Sequence, residues 1–584
     1  MKYIIFFLYV NFLGVLSLVG GKAVAQVTEQ RAISINTPHS SLVYEAKAGQ
    51  PLRFVYYGEK ISQGDVEELL KGKCPDAFPA YGKNDHGETA LSVVHSDGSR
   101  VSDLVVETVS ADAIVLKDTY YNLSVTLHFK TYSDNDIIET WTEVKNGEKG
   151  GARQFHRWGR KYQLANGERE RKVLLNSWEG VYFGINEERM HAMMDDAAAM
   201  GCELFVMDDG WFGNKYRRND TQGLGDWMVD TGKLPGGLTA LCRFAAEKGI
   251  SFGIWIEPEA VNTKSELFEK HPDWALKPMH HEPLTGRGGT QLTLDMSNPR
   301  VQDFVFNMFD TLLTRYTDID YIKWDANAAF LNHEVSNIAY HQGLVQTLQR
   351  IRAKFPNVTI QDCASGGGRV NWGYLPYFDE CWTSDNTDAM QRLRIQWGTS
   401  LFFPAICMAS HISASPNHQT FRSVPLKFRI DVAMAGRLGM EIQPKDMTEA
   451  EKEQCKRAIE DYKTVRPVVQ FGDLYRLSSP YEGETSALMY VSEDKQKSVC
   501  YWYKLSAYKD QHLPLLRLQG LDPEARYTIH ELNALPGDSF PLEGKTFTGT
   551  FLMQHGVEMP QNHSIRNRSE RMDYASRVFV ISAK

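Results

Sequence analysis

The spacing of hydrophobic residues divides the chain into stretches of different character. Between residues 26 and 171, runs such as SRVSDLVVETVS and LSVTLHFKTY are short, rich in β-branched and aromatic residues, and bounded by Asp, Gly and Asn turns, which predicts β-strands. Two layers of such strands would pack as an N-terminal β-sandwich. Residues 470–584 return to short strands and turns, and we predict a smaller C-terminal antiparallel β domain there, also a β-sandwich.

Between residues 172 and 469, short apolar strands alternate with segments of helical periodicity. The eight strand candidates are VLLNSW, LFVMDD, SFGIWIEPE, DYIKWD, VTIQDC, ECWTSD, PAICMAS and GRLGMEI. Such alternation over roughly 280 residues predicts a central (β/α)8 barrel of the TIM type. An open, doubly wound sheet is the alternative, but no GxGxxG motif follows the first strand.

Residues 1–25 are predicted to be a signal peptide. Lys2 precedes the apolar run YIIFFLYVNFLGVLSLVG, and the small residues Ala23-Val24-Ala25 form a cleavage site. A membrane anchor is the alternative, although Asn11 and Gly14 interrupt the short run. We therefore expect an exported bacterial protein, periplasmic or extracellular, with no membrane attachment after cleavage.

Charge and cysteine content exclude some classes of partner. A net charge of −9 provides no basic surface for nucleic acid. The eight cysteines show neither a CxxC pair nor a Cys/His metal spacing, so we interpret most as buried free thiols and leave a bridge between neighbouring strands open. We expect no metal and no cofactor.

Polar residues end six of the eight predicted strands. They are Trp178-Glu179, Asp208-Asp209, Glu257 and Glu259, Lys323 and Asp325, Asp362-Cys363, and Ser384-Asp385. The carboxyl ends of barrel strands share one rim, where active sites form. One such residue could simply cap a helix, but six, interleaved with tryptophans, predict a functional rim. Carboxylates beside aromatic rings suit glycoside hydrolysis, which needs one carboxyl group at the anomeric carbon and another at the leaving oxygen.

A metal site is the alternative chemistry for this rim. Asp208, Asp209, Asp325 and Asp385 could supply oxygen ligands, but the ammonium group of Lys323 would compete with a cation. Side chains two apart on a strand point the same way, so we expect Lys323 to lie beside Asp325 and to keep it ionised, as a nucleophile requires.

Several motifs together resemble glycoside hydrolase family 36, the retaining α-galactosidases. They are YIKWD, DCASGGGRVNWG, CWTSDNTDAMQRLRIQWGTS and ASHISASPNHQTFRSVPLKFRIDVAMAGRLGMEI, with NSWEGVYF, LFVMDDGWFG, LGDWMVDTGKLPGGL and FGIWIEPEAV in compatible order. The resemblance covers most of residues 172–445. It implies a metal-independent exo-α-galactosidase acting on α-galactoside oligosaccharides or polysaccharides by double displacement.

The resemblance also implies roles for individual residues. Asp325 of KWD would be the nucleophile, and Asp385, the first aspartate of SDNTD, would be the general acid/base. Asp208 and Asp209 would bind O4 and O6 of galactose, and Lys323 would reach the O3/O4 side.

Five further residues would complete the sugar site. Asn327, Cys363 and Gly366 would surround O2, while Trp178 and Trp255 would form apolar walls. Cys363 could instead be an ordinary core residue. The SGGGR stretch indicates close approach of the backbone to a sugar rather than a phosphate loop, because no Lys-Ser/Thr follows it.

Other polar residues of the rim have structural explanations. Asp388 could be confused with Asp385, but the motif favours the earlier aspartate. His411 is expected to be a core or rim histidine without a catalytic role. Glu257 and Glu259 are equally expected to form structural hydrogen bonds or to contact the substrate.

The sequence departs from the family pattern after the KWD motif. Ala328 stands where the family usually has Arg, and Arg287 is a candidate for the arginine expected near the sugar. Substrate preference and a homo-oligomeric state are therefore left open. The rival functions are an α-N-acetylgalactosaminidase or a galactosyl transferase of the same family and, from another class, a non-catalytic carbohydrate-binding protein.

Overall fold

The computed structural model describes residues 7–8, 25–26, 31–80, 90–91, 93, 95, 99, 101–110, 112–146, 151–213, 215–217, 219–277, 280, 282–327, 337–506, 513–560 and 573–584. The chain forms two compact units, residues 1–155 and 156–584. Most of the predicted signal peptide, and Ala328, lie outside the described residues, so the expectations about them stay predictions.

The first unit contains two antiparallel sheets that share one core. Buried side chains of one sheet, such as Ile33 and Ile35, belong to the same hydrophobic cluster as Ile114 and Leu116 of the other, which confirms the predicted sandwich. One sheet has the order β1 (Phe7–Leu8), β3 (Arg31–Asn36), β4 (Ser40–Ala46), β5 (Arg53–Glu59). The other has the order β2 (Ala25–Gln26), β6 (Leu104–Val109), β7 (Ala113–Asp118), β8 (Leu123–Tyr132), β9 (Ile137–Asn146).

A closed barrel of eight parallel strands lies at the centre of the second unit. Every predicted strand segment forms one of its strands, and pairing of Leu174 with Gly439 closes it. The (β/α)8 prediction is therefore confirmed. The strands are β10 (Leu174–Asn176), β11 (Leu204–Met207), β12 (Ser251–Ile256), β15 (Ile319–Trp324), β16 (Thr359–Asp362), β17 (Glu380–Trp382), β18 (Met408–Ser413) and β19 (Arg437–Glu441), while β13 (Ala260–Asn262) and β14 (Gln291–Thr293) form a separate antiparallel pair.

Several helices begin at side chains that cap their free amides. Asn186 accepts a hydrogen bond from the Arg189 amide, and Asn298 accepts one from the Arg300 amide with Pro299 in the first turn. No described helix is long and apolar enough to cross a membrane. The helices are α1 (Gln63–Leu69), α2 (Gly151–Trp158), α3 (Trp178–Val181), α4 (Glu187–Ala199), α5 (Gly237–Glu247), α6 (Glu266–Lys270), α7 (Pro299–Arg315), α8 (Asn337–Lys354), α9 (Ala389–Thr399), α10 (Leu426–Met434), α11 (Glu449–Phe471) and α12 (Gly549–Gln554).

The C-terminal strands form one antiparallel sheet of six strands. Alternate residues face opposite ways: Tyr490 and Tyr501 donate hydrogen bonds to backbone carbonyls at the end of α10, both at 2.7 Å, whereas Met489 and Phe579 pack in a separate core. The antiparallel domain is confirmed, and its described strands form one sheet with the end of α10 against one face; the sandwich predicted for residues 470–584 stays a prediction. The order is β20 (Asp473–Ser478), β21 (Thr485–Val491), β22 (Lys497–Lys504), β25 (Ala575–Ala583), β23 (Arg526–Leu532), β24 (Thr546–Thr548).

Candidate active site

A pocket of about 280 Å³ opens at the carboxyl ends of the barrel strands. It is lined by Trp178, Glu179, Tyr182, Asp208, Asp209, Trp255, Arg287, Lys323, Asp325, Asn327, Trp382, Asp385, Thr387, His418, Gln419 and Glu441. Eight of the predicted site residues belong to this lining. The other two, Cys363 and Gly366, lie outside it.

Asp325 follows β15 and is held by three hydrogen-bond donors. Its Oδ2 accepts from Trp255 Nε1 at 3.2 Å and from Asn327 Nδ2 at 2.8 Å, and its Oδ1 accepts from the Ala326 amide at 2.8 Å. The Asp325 amide donates to the carbonyl oxygen of Ile256 on β12 at 2.8 Å, which extends the barrel pairing to this residue. These contacts fix the direction in which the carboxylate points.

Asp385 lies three residues after β17, and its side chain is exposed to the pocket. Its Oδ1 accepts a hydrogen bond from Trp382 Nε1 at 3.1 Å. Loss of solvation among the pocket walls, with the negative charge of Asp325 second, raises the pKa of Asp385 to about 6. A carboxyl group with that pKa can give and take a proton near neutral pH.

Lys323 pairs with Asp208 rather than with Asp325. Its Nζ lies 2.8 Å from Asp208 Oδ2, and both side chains are buried. Burial alone would lower the pKa of Lys323, but the charges of Asp208 and Glu441 outweigh it and hold that pKa well above its usual range. The expectation that Lys323 directly holds Asp325 is therefore corrected: the ammonium group pairs with Asp208, which follows β11, two strands away in the barrel.

Asp209 forms a second buried ion pair in the pocket. Its two oxygens accept from Nε and Nη2 of Arg217, a bidentate arrangement. Burial raises the pKa of Asp209, and the Arg217 charge opposes that shift. Asp208 also accepts a hydrogen bond from Asn176 Nδ2 at 2.8 Å. Both aspartates thus serve as anchored acceptors, not as helix caps.

Cys363 and Gly366 support the pocket from behind its lining. Cys363 is 1% exposed and packs with Trp382 and Ala409. A Cβ on Gly366, whose φ is +83°, would lie 2.6 Å from the Cα of Ser384. The close backbone approach predicted for the glycine run is therefore to the strand end that carries Asp385.

The two glutamates after β12 have structural partners. Glu257 accepts from Gln291 Nε2 at 2.6 Å and from both the backbone and the side chain of Asn327, so it fixes the residue that contacts Asp325. Burial, and then the charge of Asp325, raise the pKa of Glu257 to about 8. Glu259 accepts from Trp324 Nε1 at 2.8 Å and pairs with Arg369. Neither glutamate lines the pocket.

Asp388 and His411 also have structural surroundings. Asp388 is fully buried, caps α9 by accepting from the Met390 amide at 2.8 Å, and pairs with Arg422 at 2.9 Å. His411 lies between Glu441 and Arg437, with Nδ1 2.9 Å from Glu441 Oε2. Burial and the Arg437 charge lower the pKa of His411 well below its usual range, so the imidazole is neutral.

Some lining residues were not among the predicted site residues. Glu441 ends β19 and Glu179 follows β10, so these two carboxyl groups complete the rim where the barrel closes. Tyr182, Thr387, His418 and Gln419 come from loops without a strand-end signal. Glu441 could have been found, because it occupies the same strand-end position as the other acidic residues. Arg287, noted only as a candidate, also belongs to the lining.

All eight cysteines are free in the structure, including Cys381 and Cys407, whose sulfurs lie 3.6 Å apart. Within the described ranges, no group of three or more His, Cys, Asp or Glu side chains is arranged to bind a metal ion.

Three family models match consecutive parts of the chain. The glycosyl hydrolase family 36 N-terminal domain matches residues 50–153, Melibiase matches residues 131–472, and the family 36 C-terminal domain matches residues 485–581. The chain belongs to glycosyl hydrolase family 36. The Melibiase match contains both Asp325 and Asp385 and covers the whole barrel of this family 36 member.

Curated relatives of this family 36 chain are α-galactosidases by name. Alpha-galactosidase C of Emericella nidulans is 42% identical over 71% of this chain and 55% of its own length, and alpha-galactosidase AgaA of Geobacillus stearothermophilus is 40% identical over 74% and 59%. The chain thus spans little more than half the length of these relatives.

Solved structures of the same family share the fold. The crystal structure of AgaA superposes with a TM-score of 0.68 at 27% identity and covers 95% of this chain and 100% of that chain. Variants of AgaA have been solved in complex with stachyose and with raffinose.

Proposed function

We propose that this family 36 member is an exo-acting, retaining α-galactosidase that releases terminal α-linked D-galactose from oligosaccharides or polysaccharides. The observation that carries the proposal is the pairing of two different carboxyl groups in one pocket: Asp325, held by three donors, and Asp385, with its pKa raised to about 6. Their difference matches the division between nucleophile and acid/base in a double displacement.

In the first step, Asp325 attacks the anomeric carbon while the glycosidic bond breaks and Asp385 gives its proton to the leaving oxygen. In the second step, Asp385 takes a proton from water, which displaces Asp325 from the same carbon. Two inversions retain the α configuration. Trp255 and Asn327 hold the attacking carboxylate in place, so little reorganisation is needed when the bond forms.

Anchored charges provide for recognition of the sugar. Asp208 and Asp209 are proposed to accept hydrogen bonds from the O4 and O6 hydroxyls, and Lys323 to donate on the O3/O4 side, because charge-assisted hydrogen bonds are strong and directional. Trp178 and Trp255 would cover the apolar face of the ring. Asn327, which lies between Asp325 and Ser365, is proposed to contact O2.

The natural substrate is proposed to be an α-galactoside of the raffinose type, by analogy with the ligands of AgaA. Export to the periplasm or beyond is proposed from the apolar N-terminus, and a homo-oligomeric state stays a prediction. The α-N-acetylgalactosaminidase alternative stands as a second candidate, because Cys363, expected to form a wall near O2, does not belong to the pocket lining.

The proposal is tested with purified protein on an aryl α-galactoside, an aryl α-N-acetylgalactosaminide and raffinose. We expect turnover of the aryl α-galactoside and raffinose, loss of that turnover in Asp325→Asn, and no loss in Asp320→Asn. Asp320 is the matched control because it lies on the same strand, with a side chain that is 44% exposed and pairs with Lys172. Preferred cleavage of the N-acetylated substrate, or near-normal activity of Asp325→Asn, would refute the assignment.

A further inference from the structure

Glu179 ties the loop that carries Asp385 to the first barrel strand. It is the second residue of α3, directly after β10, and its Oε1 accepts a hydrogen bond from Thr387 Oγ1 at 2.7 Å. Thr387 stands two residues after Asp385 and is 2% exposed. The first and sixth strands of the barrel are therefore joined through one carboxyl group at the edge of the pocket.

Thr387 and Asp385 are held from the other side by residues that end or follow β18. Asn417 Nδ2 donates to Thr387 Oγ1 at 3.0 Å, and Ser413 Oγ donates to the Thr387 carbonyl oxygen at 2.8 Å. Gln419 Nε2 donates to the Asp385 carbonyl oxygen at 2.7 Å. Without Glu179, Thr387 would keep its anchors from the β18 side, and the neighbouring Ser384 carbonyl oxygen would keep its hydrogen bond from Arg392 Nη1 at 2.9 Å.

We propose that Glu179 is a positioning residue for Asp385, acting through Thr387 to fix the acid/base at the distance from the leaving oxygen that proton transfer needs. This inference rests on the proposed function. Proton transfer requires hydrogen-bond distance between the acid and its acceptor, so a small displacement of the loop reduces the assistance that Asp385 gives.

The surroundings of Glu179 favour its neutral form. Its side chain is 4% exposed, and Oε2 has no hydrogen-bond partner among the described residues. The facing charged or titratable groups are Glu441 from β19, His418 at 3.5 Å, Lys323 from β15, Arg392 from α9 and Tyr182, which follows α3. Burial, followed by the charge of Glu441, raises the pKa of Glu179 to about 9. A neutral acid can hold Thr387 without placing another negative charge beside Asp385.

A neutral anchor can be replaced by an amide of the same shape. We therefore compare Glu179→Gln, Glu179→Ala and Thr387→Val by measuring kcat/KM for two α-galactosides, one with an activated aryl leaving group and one with a sugar leaving group. Only the sugar leaving group needs the proton from Asp385. Glu179→Gln should stay within about threefold of wild type on both substrates, because its carbonyl oxygen still accepts from Thr387.

Glu179→Ala and Thr387→Val should each lose about tenfold or more on the sugar leaving group and less than about threefold on the aryl one, the size of one lost hydrogen bond. The double variant should be no worse than Thr387→Val alone, since that change already removes the contact with Glu179 together with the bond from Asn417. Thermal unfolding identifies any variant that fails to fold. If one of the two single variants fails, the other one is used for the test.

Equal losses on both leaving groups, or a Glu179→Gln variant as impaired as Glu179→Ala, would overturn the positioning role while leaving the proposed function intact. A wild-type protein that is inactive on both α-galactosides would instead refute the proposed function and, with it, this inference.

Discussion

The two sides of the pocket treat their carboxyl groups differently. On the side formed by β11 and β15, Asp208 pairs with Lys323 and Asp209 pairs with Arg217, so buried anions have cationic partners. On the side formed by β17, β19 and β10, Asp385, Glu441 and Glu179 make no ion pair with Lys or Arg in the described part of the chain.

The difference separates carboxyl groups suited to accepting hydrogen bonds from a carboxyl group suited to proton transfer. A carboxylate fixed by a cation is a stable hydrogen-bond acceptor, which suits recognition of sugar hydroxyls. Where carboxyl groups lie together without such a partner, burial raises their pKa values. The charges of nearby carboxylates raise the pKa values of Asp385 and Glu179 further, and that of Asp385 reaches about 6. One pocket can therefore contain both carboxyl groups paired with cations and a carboxyl group that exchanges protons near neutral pH.

The largest predicted effect comes from breaking the ion pair on the first side. Lys323→Met should lower the free energy of unfolding by about 3–5 kcal/mol, because it leaves the Asp208 carboxylate buried without its cation. Urea unfolding measures the change. As a control, Arg300→Met removes an exposed pair with Asp273 and should cost less than about 1 kcal/mol. Equal stability of Lys323→Met and wild type would show that the buried pair is not a structural requirement.

A smaller effect is predicted on the side formed by β17, β19 and β10, where Gly366 packs against the backbone of Ser384. Gly366→Ala should lower the unfolding free energy by about 1–3 kcal/mol, because φ is +83° and the new Cβ would meet the Ser384 backbone at 2.6 Å. The same substitution should lower kcat/KM for α-galactosides with poor leaving groups, because the displaced Ser384 backbone directly precedes Asp385. Gly249→Ala has a similar φ of +73° but no atom within 4 Å, so it should strain the chain without changing the activity. Equal activity of both variants would contradict the role of the glycine run.

The smallest effect concerns charge alone. The charge of Glu441 raises the pKa of Asp385, so Glu441→Gln should lower that pKa. Asp385 would then lose its proton at a lower pH, and the alkaline fall in kcat/KM should move to lower pH with little change in the plateau. A pH profile on raffinose measures it. Movement to higher pH would mean that Glu441 does not act on Asp385 through its charge.

The barrel could be predicted from sequence because the strands are short apolar runs and all but β16 are followed by a helical segment, a purely local signal. Strand ends such as Asp208 and Asp325 could be assigned to one rim for the same reason. The hydrogen-bonding and ion-pair partners of these residues could not be predicted. Lys323 lies two residues from Asp325, yet its ammonium group pairs with Asp208 at the end of another strand, and only the barrel geometry shows this.

The same limit applies to the packing of the C-terminal domain and to the loops around the pocket. The nearly continuous apolar run of β21 indicates that both faces of the strand are buried, but it does not say that the end of α10 lies against one of them. Gln419 has no strand-end pattern, so its approach to Asp385 depends on tertiary packing of segments 34 residues apart.

The pH dependence of kcat/KM on a substrate with a sugar leaving group, measured for wild type and Asp385→Asn, tests the central claim most directly. Because Asp385 must be protonated to act as the acid, kcat/KM of the wild type should be level below about pH 6 and fall about tenfold per pH unit above it. Asp385→Asn should be lower by about 10²–10⁴-fold and should lack that fall. A wild-type profile that stays level to pH 8, or the same alkaline fall in Asp385→Asn, would contradict the assignment of Asp385 as the acid/base.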